Sequence, residues 1–320
     1  MKYIKSVLLF FLLLQTGLYL YSAYPNDIIQ NSNNRVGIIV ENDFFFVTDY
    51  YYSNGFSLVL QSGYMQFPIL KRFMFPTDNN PLIISNIELS QKIYTPVQTK
   101  TSEIQYGDRP YAGTLTLAYT EEAIYSTGKI SSCIVIGVLG DRSWSSETQN
   151  FIHKVIDNDQ IQGWDNQIDN DIIFNLNYSF ERRFLKLDFM NLSSAANLRL
   201  GTLNTDLGGS VKVSFIINYE RLNIKHISAI AKNLRIYSHA EISPRYVLYN
   251  ATLNGGFINR SDSNHTLSTS ELRALVIDNT IGVVICYRAF QLEIDAVHTI
   301  PEFKGGRHHM YGRIALYYNF

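Results

Sequence analysis

Apolar and polar residues alternate along most of this chain with a period of two. In Phe56-Ser57-Leu58-Val59-Leu60-Gln61, the residues Phe56, Leu58 and Leu60 share one face. In the run from Ile87 to Tyr94, Ile87, Leu89 and Ile93 oppose Glu88, Ser90 and Lys92. From Ile172 to Phe180 one face is wholly apolar or aromatic, whereas Gln291, Glu293 and Asp295 gather on a single polar face. Alternation of this kind predicts half-buried β-strands. Such runs recur roughly every ten to twenty-five residues, about twelve in all, the spacing of barrel spans joined by turns.

A soluble sandwich buries the apolar face of each strand. A membrane barrel turns that face to lipid and keeps polar groups in its lumen. The two ends of the chain favour the second arrangement. Lys2 and Lys5 precede the apolar core Val7–Leu14, and small residues follow at Ser22-Ala23. This is the layout of a secretory signal peptide, expected to span residues 1–23 and leave 24–320 as the barrel. An uncleaved anchor is the other reading of the segment. Its apolar core is shorter than the ~20 residues a span requires. The last run, Met310 to Phe320, alternates and stops at a terminal aromatic, as bacterial outer-membrane strands do. Closing the sheet removes the edges that lipid cannot hydrogen-bond. The predicted fold is therefore all-β: a transmembrane antiparallel up-and-down β-barrel of about 12 strands.

One stretch breaks the period. In Ser145 to Ile156, Phe151 and Val155 are four apart, as are Ile152 and Ile156, and Gln149 and His153. Each pair lies on one side of a helix. Ser145 or Ser146 suits the N-cap, and Glu147 the first turn. A short amphipathic helix among strands predicts a lid or prop beside a site. Nothing marks an internal repeat or a linker.

Composition narrows the picture further. The 320 residues are 46% hydrophobic, with 22 Tyr and 19 Phe, and carry a net charge of -1. Plentiful aromatics argue against disorder, and the lack of a basic excess argues against a nucleic-acid binder. The two cysteines, Cys133 and Cys286, lie in strand-like runs and read as free thiols; a disulfide between them is the alternative.

Four blocks carry candidate chemistry. The first begins at Glu41-Asn42-Asp43 and resumes at Ser53-Asn54-Gly55. A carboxylate with amide and hydroxyl oxygens suits a hard cation, with Asp43 and Ser53 as ligands. An Asx turn at a strand end accounts for the same residues. The second block joins Lys92 and Tyr94-Thr95-Pro96 to Asp108-Arg109-Pro110. Here Arg109, Lys92 and Lys100 are candidates for a phosphate, and solvated surface charges are the alternative. The third is Gln149 to His153, where a neutral imidazole can take a proton from water. It needs a partner on its second nitrogen, and Asp159 is within reach. On spacing alone the same histidine also suits an exposed helix face. The fourth, Gly163-Trp164-Asp165-Asn166-Gln167, reads as an anchor under the helix, with Gln167 as a hydrogen-bonding prop.

Taken in order, these blocks resemble the outer-membrane lipid A 3′-O-deacylase family over nearly the whole mature chain. Pro301-Glu302-Phe303-Lys304-Gly305-Gly306 also looks family-like. The resemblance implies a twelve-stranded barrel with its active site inside the barrel near the outer leaflet and the short helix beside that site. It implies calcium-assisted hydrolysis of the 3′-acyloxyacyl ester of lipid A in lipopolysaccharide. A monomer is the expected state of the chain. Carried across, it points to Asn42, Gln149, His153 and Asp159 for catalysis and to Asp43 and Ser53 for Ca2+. The chain departs from the pattern with Ser at 53, where Thr can stand, and Asp at 159, where Glu can occur. Two other readings remain open. One is a serine-type outer-membrane phospholipase built on His226, Ser228 and Asn233. The other is a non-enzymatic porin or structural barrel.

Overall fold

The computed structural model describes residues 34–320 apart from 44–45, 47–49, 66–80, 156, 158, 218–233 and 260–264. The expected signal peptide and the His226–Ser228 pair lie outside these residues. Twelve strands form one closed antiparallel barrel. They are β1 (Arg35–Asn42), β2 (Tyr51–Ser62), β3 (Leu82–Thr95), β4 (Ala112–Tyr125), β5 (Gly128–Leu139) and β6 (Asp171–Lys186), followed by β7 (Met190–Gly201), β8 (Asn204–Ile217), β9 (Leu234–Asn250), β10 (Leu275–Tyr287), β11 (Phe290–Thr299) and β12 (His309–Asn319). Each strand pairs with its neighbours in sequence, and β1 pairs with β12 from Arg35↔Asn319 to Asn42↔Gly312 to shut the cylinder. The terminal Phe320 donates its N–H to the Asn34 carbonyl and stacks near Tyr318, so the last aromatic helps to tie the closing seam.

The alternation sorts as a lipid-facing barrel requires. Val36, Ile38 and Val40 of β1, and Phe56, Leu58 and Leu60 of β2, stand exposed on the outer wall. Their neighbours Glu41, Ser57 and Val59 are buried inside. Among the described residues no helix is long and apolar enough to cross a membrane. Both cysteines are free.

Charges inside the barrel are paired, as burial demands. Arg313 donates to Glu293 and Asp295, each at 2.8 Å. Arg199 donates to Asp206 at 2.8 Å. Glu41 accepts from the Tyr52 hydroxyl and lies 3.5 Å from the Lys92 ammonium. Among these charges, a cavity of about 310 Å3 is bounded by residues that include Lys92, Tyr94, Arg245, Glu302 and His309.

The longest described excursion from the wall is the β5–β6 connection. It contains a 3₁₀ turn at Asp141–Ser143 and the predicted helix, α1, at Ser145–Val155. A second short helix, α2, spans Ala251–Asn254 after β9. The connection folds back over the outside of the barrel. Gln91 of β3 donates its side-chain amide to the Ser143 carbonyl at 2.6 Å. Gly113 of β4 lies directly under Ser143 and Ser145, and a Cβ there would stand 2.1 Å from the Ser145 hydroxyl. Only glycine lets the helix start sit this close to the wall.

Candidate active site

On β3, Lys92 and Tyr94 line the lumen, so Gln91, Ile93 and Thr95 face outward. Ile93 is buried there under Tyr111, Ile161 and Trp164. The connection carrying α1 is stitched to the β3–β4 loop by backbone bonds, Gln162 N–H to Thr99 and Ile168 N–H to Tyr111, both 2.9 Å. These contacts press α1 onto the outer face of the barrel. They also explain which side of α1 is buried: Ser145, Gln149 and His153, three polar residues at four-residue spacing.

Each of these side chains has a defined partner. The Trp164 indole N–H donates to Gln149 Oε1 at 3.1 Å. An indole can only donate, so this bond orients the amide and turns its NH2 group away from the tryptophan. His153 Nδ1 lies 2.6 Å from the backbone carbonyl of Asp159. A carbonyl can only accept, so in the neutral ring Nδ1 carries the proton and Nε2 holds the lone pair. The anchor role read for Trp164 is met, with the indole buried against Gln149. Gln167 donates to Asp141 at 3.4 Å, a weak prop.

The second cluster lies on the neighbouring strands. Asp43 is buried, and its Oδ2 accepts the Tyr50 N–H at 2.9 Å while its carbonyl accepts the Phe46 N–H at 2.9 Å. One carboxylate oxygen thus braces the β1–β2 loop, the structural duty anticipated for an Asx turn. The Ser53 hydroxyl meets the Thr95 hydroxyl at 2.7 Å, where a bulge between Tyr52 and Asn54 interrupts the β2–β3 ladder. Asn42, at the end of β1, pairs across to Asn54 and Gly312 and shares the outward face of Val40. Thr95 and Ile93 are two residues apart on one face of β3, about 7 Å. The Ser53–Thr95 pair and the Gln149–Trp164 pair therefore rest on adjacent positions of the same outer strand face.

Four expectations change. The site was expected inside the barrel near the outer leaflet, but Gln149 and His153 lie against its outer wall, because Gln91, Ile93 and Gly113 face outward and receive the connection. Asp159 was expected to orient His153 through its carboxylate, but its backbone carbonyl does so. The carboxylate instead accepts from Lys100 at 2.6 Å in the open. That hydrogen bond and the lysine charge hold the Asp159 carboxyl below the usual range. A shorter side chain than Glu is then no handicap, because the main chain makes the contact. Asp159→Asn should accordingly leave the bond to His153 Nδ1 intact, read as an unchanged Nδ1–H resonance of that ring by NMR. Arg109 is 1% exposed and bound to Glu302, to the Thr252 hydroxyl at 3.1 Å and to the Tyr94 ring, so it does not greet a phosphate at the surface. Lys92 points into the lumen toward Glu41 and the Tyr52 ring, with the barrel wall between it and α1. Alternation showed that Lys92 and Ile93 face opposite ways but left open which of them met the site. Thr95 was missed as a partner of Ser53, although it stands in the Tyr94-Thr95-Pro96 block.

Oxygen donors of the Asp43 and Ser53 type fit a hard cation. Among the described residues no three His, Cys, Asp or Glu side chains converge as a metal cage.

A closed barrel with an apolar outer band, and a buried imidazole and amide held against its outer wall by a loop helix, is an integral outer-membrane protein with a polar site outside its lumen. The family model described as outer membrane protein LpxR matches residues 8–320. The chain belongs to that family, outer-membrane barrels of the lipid A deacylase type, and resides in the Gram-negative outer membrane. Its fold is similar to that of LpxR from Salmonella typhimurium, with a TM-score of 0.69 at 17% identity over 89% of this chain and 100% of that one. The β domain of the Bordetella autotransporter BrkA gives a TM-score of 0.45 at 9% identity, over 91% of this chain and 100% of that one. No curated protein sequence matches.

Proposed function

We propose that this protein hydrolyses the 3′-acyloxyacyl ester of lipid A, with His153 activating the attacking water. The observation that carries the reading is the Nδ1–H···O=C bond from His153 to Asp159, which leaves on Nε2 the lone pair that a base needs. Water gives its proton to Nε2 as its oxygen bonds to the ester carbonyl carbon. The carbonyl electrons move onto oxygen and then return as the carbon–oxygen bond to the sugar breaks. The imidazolium passes its proton to the departing sugar oxygen, leaving a hydroxyl and a free fatty acid. The Gln149 NH2, aimed by Trp164, and Asn42 are the side-chain donors assigned to the developing oxyanion. Asp43 and Ser53, with nearby carbonyls, would hold calcium, which supplies further positive charge to that oxygen. No acyl-enzyme is needed, and one chain contains every side chain the scheme uses.

Mass spectrometry of lipid A from cells with and without the protein tests the reading. A lipid A lighter by the 3′ acyloxyacyl group supports it. An unchanged lipid A, with solute flux through the purified barrel, favours a porin instead. Chelation gives a separate outcome. Purified protein stripped with EDTA should lose at least about tenfold in rate, and millimolar calcium should restore it, with the heat-modifiable band of the folded barrel unchanged throughout. Full activity after stripping removes the metal from the scheme.

A further inference from the structure

Helix α1 is inverted relative to a helix on a soluble protein. Its polar residues Ser145, Gln149 and His153 face the barrel, and its large apolar residues face away. Phe151 and Val155 are each 67% exposed, and Trp144, immediately before the helix, is 63% exposed. A helix that normally buries its apolar stripe does so here only if something outside the chain covers it.

Three observations say what that is. First, α1 rests on Gly113 and Gln91, which lie on the outer surface of β3 and β4, so its far side looks away from the barrel into the surroundings of the wall. Second, the apolar stripe continues the lipid-facing band. Ile172 of β6 is 61% exposed, and it stands on the same hydrogen-bonded row as Gln91, through Leu115 and Val138. Ile136 and Phe174, on the strands that enter and leave the connection, are exposed on the same outer face. Third, the exposed side of α1 is divided. At about 100° per residue, Phe151 and Val155 fall within an arc of about 40°, and exposed Glu147 and Lys154 lie together on the other flank. An apolar flank beside a charged flank is the pattern of a helix lying in a membrane interface.

We propose that Trp144, Phe151 and Val155 are immersed in the acyl layer of the outer leaflet, so that α1 is an interfacial helix clamped between lipid and barrel. The proposal rests on the barrel and its membrane, and holds whether or not the hydrolytic reading does. If that reading also holds, the helix that carries His153 stands among the acyl chains of its substrate, and the ester need not leave the leaflet to reach the imidazole. Trp144 is positioned for a depth marker. Its backbone is left-handed at φ 55°, and its N–H is bound to the Asp141 carbonyl at 2.9 Å.

The test uses the full barrel refolded into phosphatidylcholine vesicles whose acyl chains carry bromine near the headgroup end. The chain has two tryptophans, Trp144 and the buried Trp164, so the emission lost in Trp144→Phe isolates the first. The expected result is quenching of the Trp144 emission by brominated chains by about twofold or more, with little quenching by aqueous iodide. Strong iodide quenching without bromine quenching would place the stripe in water and overturn the proposal. A second measurement does not depend on removing a tryptophan. Val155→Cys, in a Cys133→Ser, Cys286→Ser background, is labelled with an environment-sensitive fluorophore. Blue-shifted emission in vesicles supports lipid contact. Emission as in water, or cross-linking of the label site to a second copy of the chain, refutes it.

Discussion

His153→Ala should abolish ester hydrolysis, lowering the rate on lipid A by about 10²–10⁴-fold while the barrel remains folded. The size of the loss follows from the ring's two bonds. Nδ1 is saturated by the Asp159 carbonyl at 2.6 Å, so Nε2 alone presents a lone pair. Alanine leaves the water without a base and the leaving oxygen without a proton. The barrel is spared because His153 sits in a connection outside the twelve-strand ladder. Initial rates on lipid A, measured beside the heat-modifiable shift of the folded band, separate the two effects. Retention of full activity with a normal band shift would reassign the base. Gln149→Ala serves as a graded control. Losing one oxyanion donor lowers rate by about 10²–10³-fold, and Trp164 loses its acceptor in the same change.

Arg109→Ala should strongly destabilise the end of the barrel that carries α1 and α2, by about 3 kcal/mol. Arg109 reaches from the β3–β4 loop to Glu302 of the β11–β12 loop and to Thr252 of α2, so one guanidinium ties three excursions together. Its removal leaves the Glu302 carboxylate beside Arg245 alone, at 3.8 Å. That residual contact keeps the loss at the low end of the range for a broken buried pair. The double change Arg109→Met, Glu302→Leu should restore much of the stability, because no charge is then left without its partner. Burial pushes the Glu302 carboxyl up, but the Arg109 and Arg245 charges outweigh it and hold it below its ordinary value of 4.5. A carboxyl depressed in the folded state adds stability above its unfolded pKa and loses it as pH falls through the folded one. The parent barrel should therefore weaken on acidification below the ordinary carboxylate range. Glu302→Gln should flatten that part of the profile, read as the unfolding midpoint in detergent against pH. An acid profile identical in parent and variant would show that Glu302 does not drive it.

Period-two alternation, an aromatic ending and the four blocks made the barrel, its helix and the neighbourhood of the site legible without coordinates. Local spacing suffices for these because strand faces and helix faces are set by backbone geometry between near neighbours. Gln149 and His153 share a helix side for that reason, and they are buried together. Position 159 was found, but its working atom was not. Whether a side chain or a carbonyl meets His153 depends on the path of the loop after α1, which no periodicity records. Arg109 and Lys92 were misread for a related reason. A cation in a sequence has no address, and its partner, Glu302 for one and Glu41 for the other, is reached only when distant strands close into a cylinder.

The sequence by itself determined that this chain is a membrane barrel, because its side chains alternate with the backbone and lipid accepts only a closed sheet. It also determined which residues could do chemistry. Tertiary structure alone decided which of them meet. Outward Ile93 receives Trp164 of the connection that carries α1, inward Lys92 stays in the lumen, and the polar side of the helix turns to the wall while Trp144, Phe151 and Val155 turn away. The physical reason is that burial and pairing are settled by contacts between segments far apart in the chain, whereas alternation is settled within each segment.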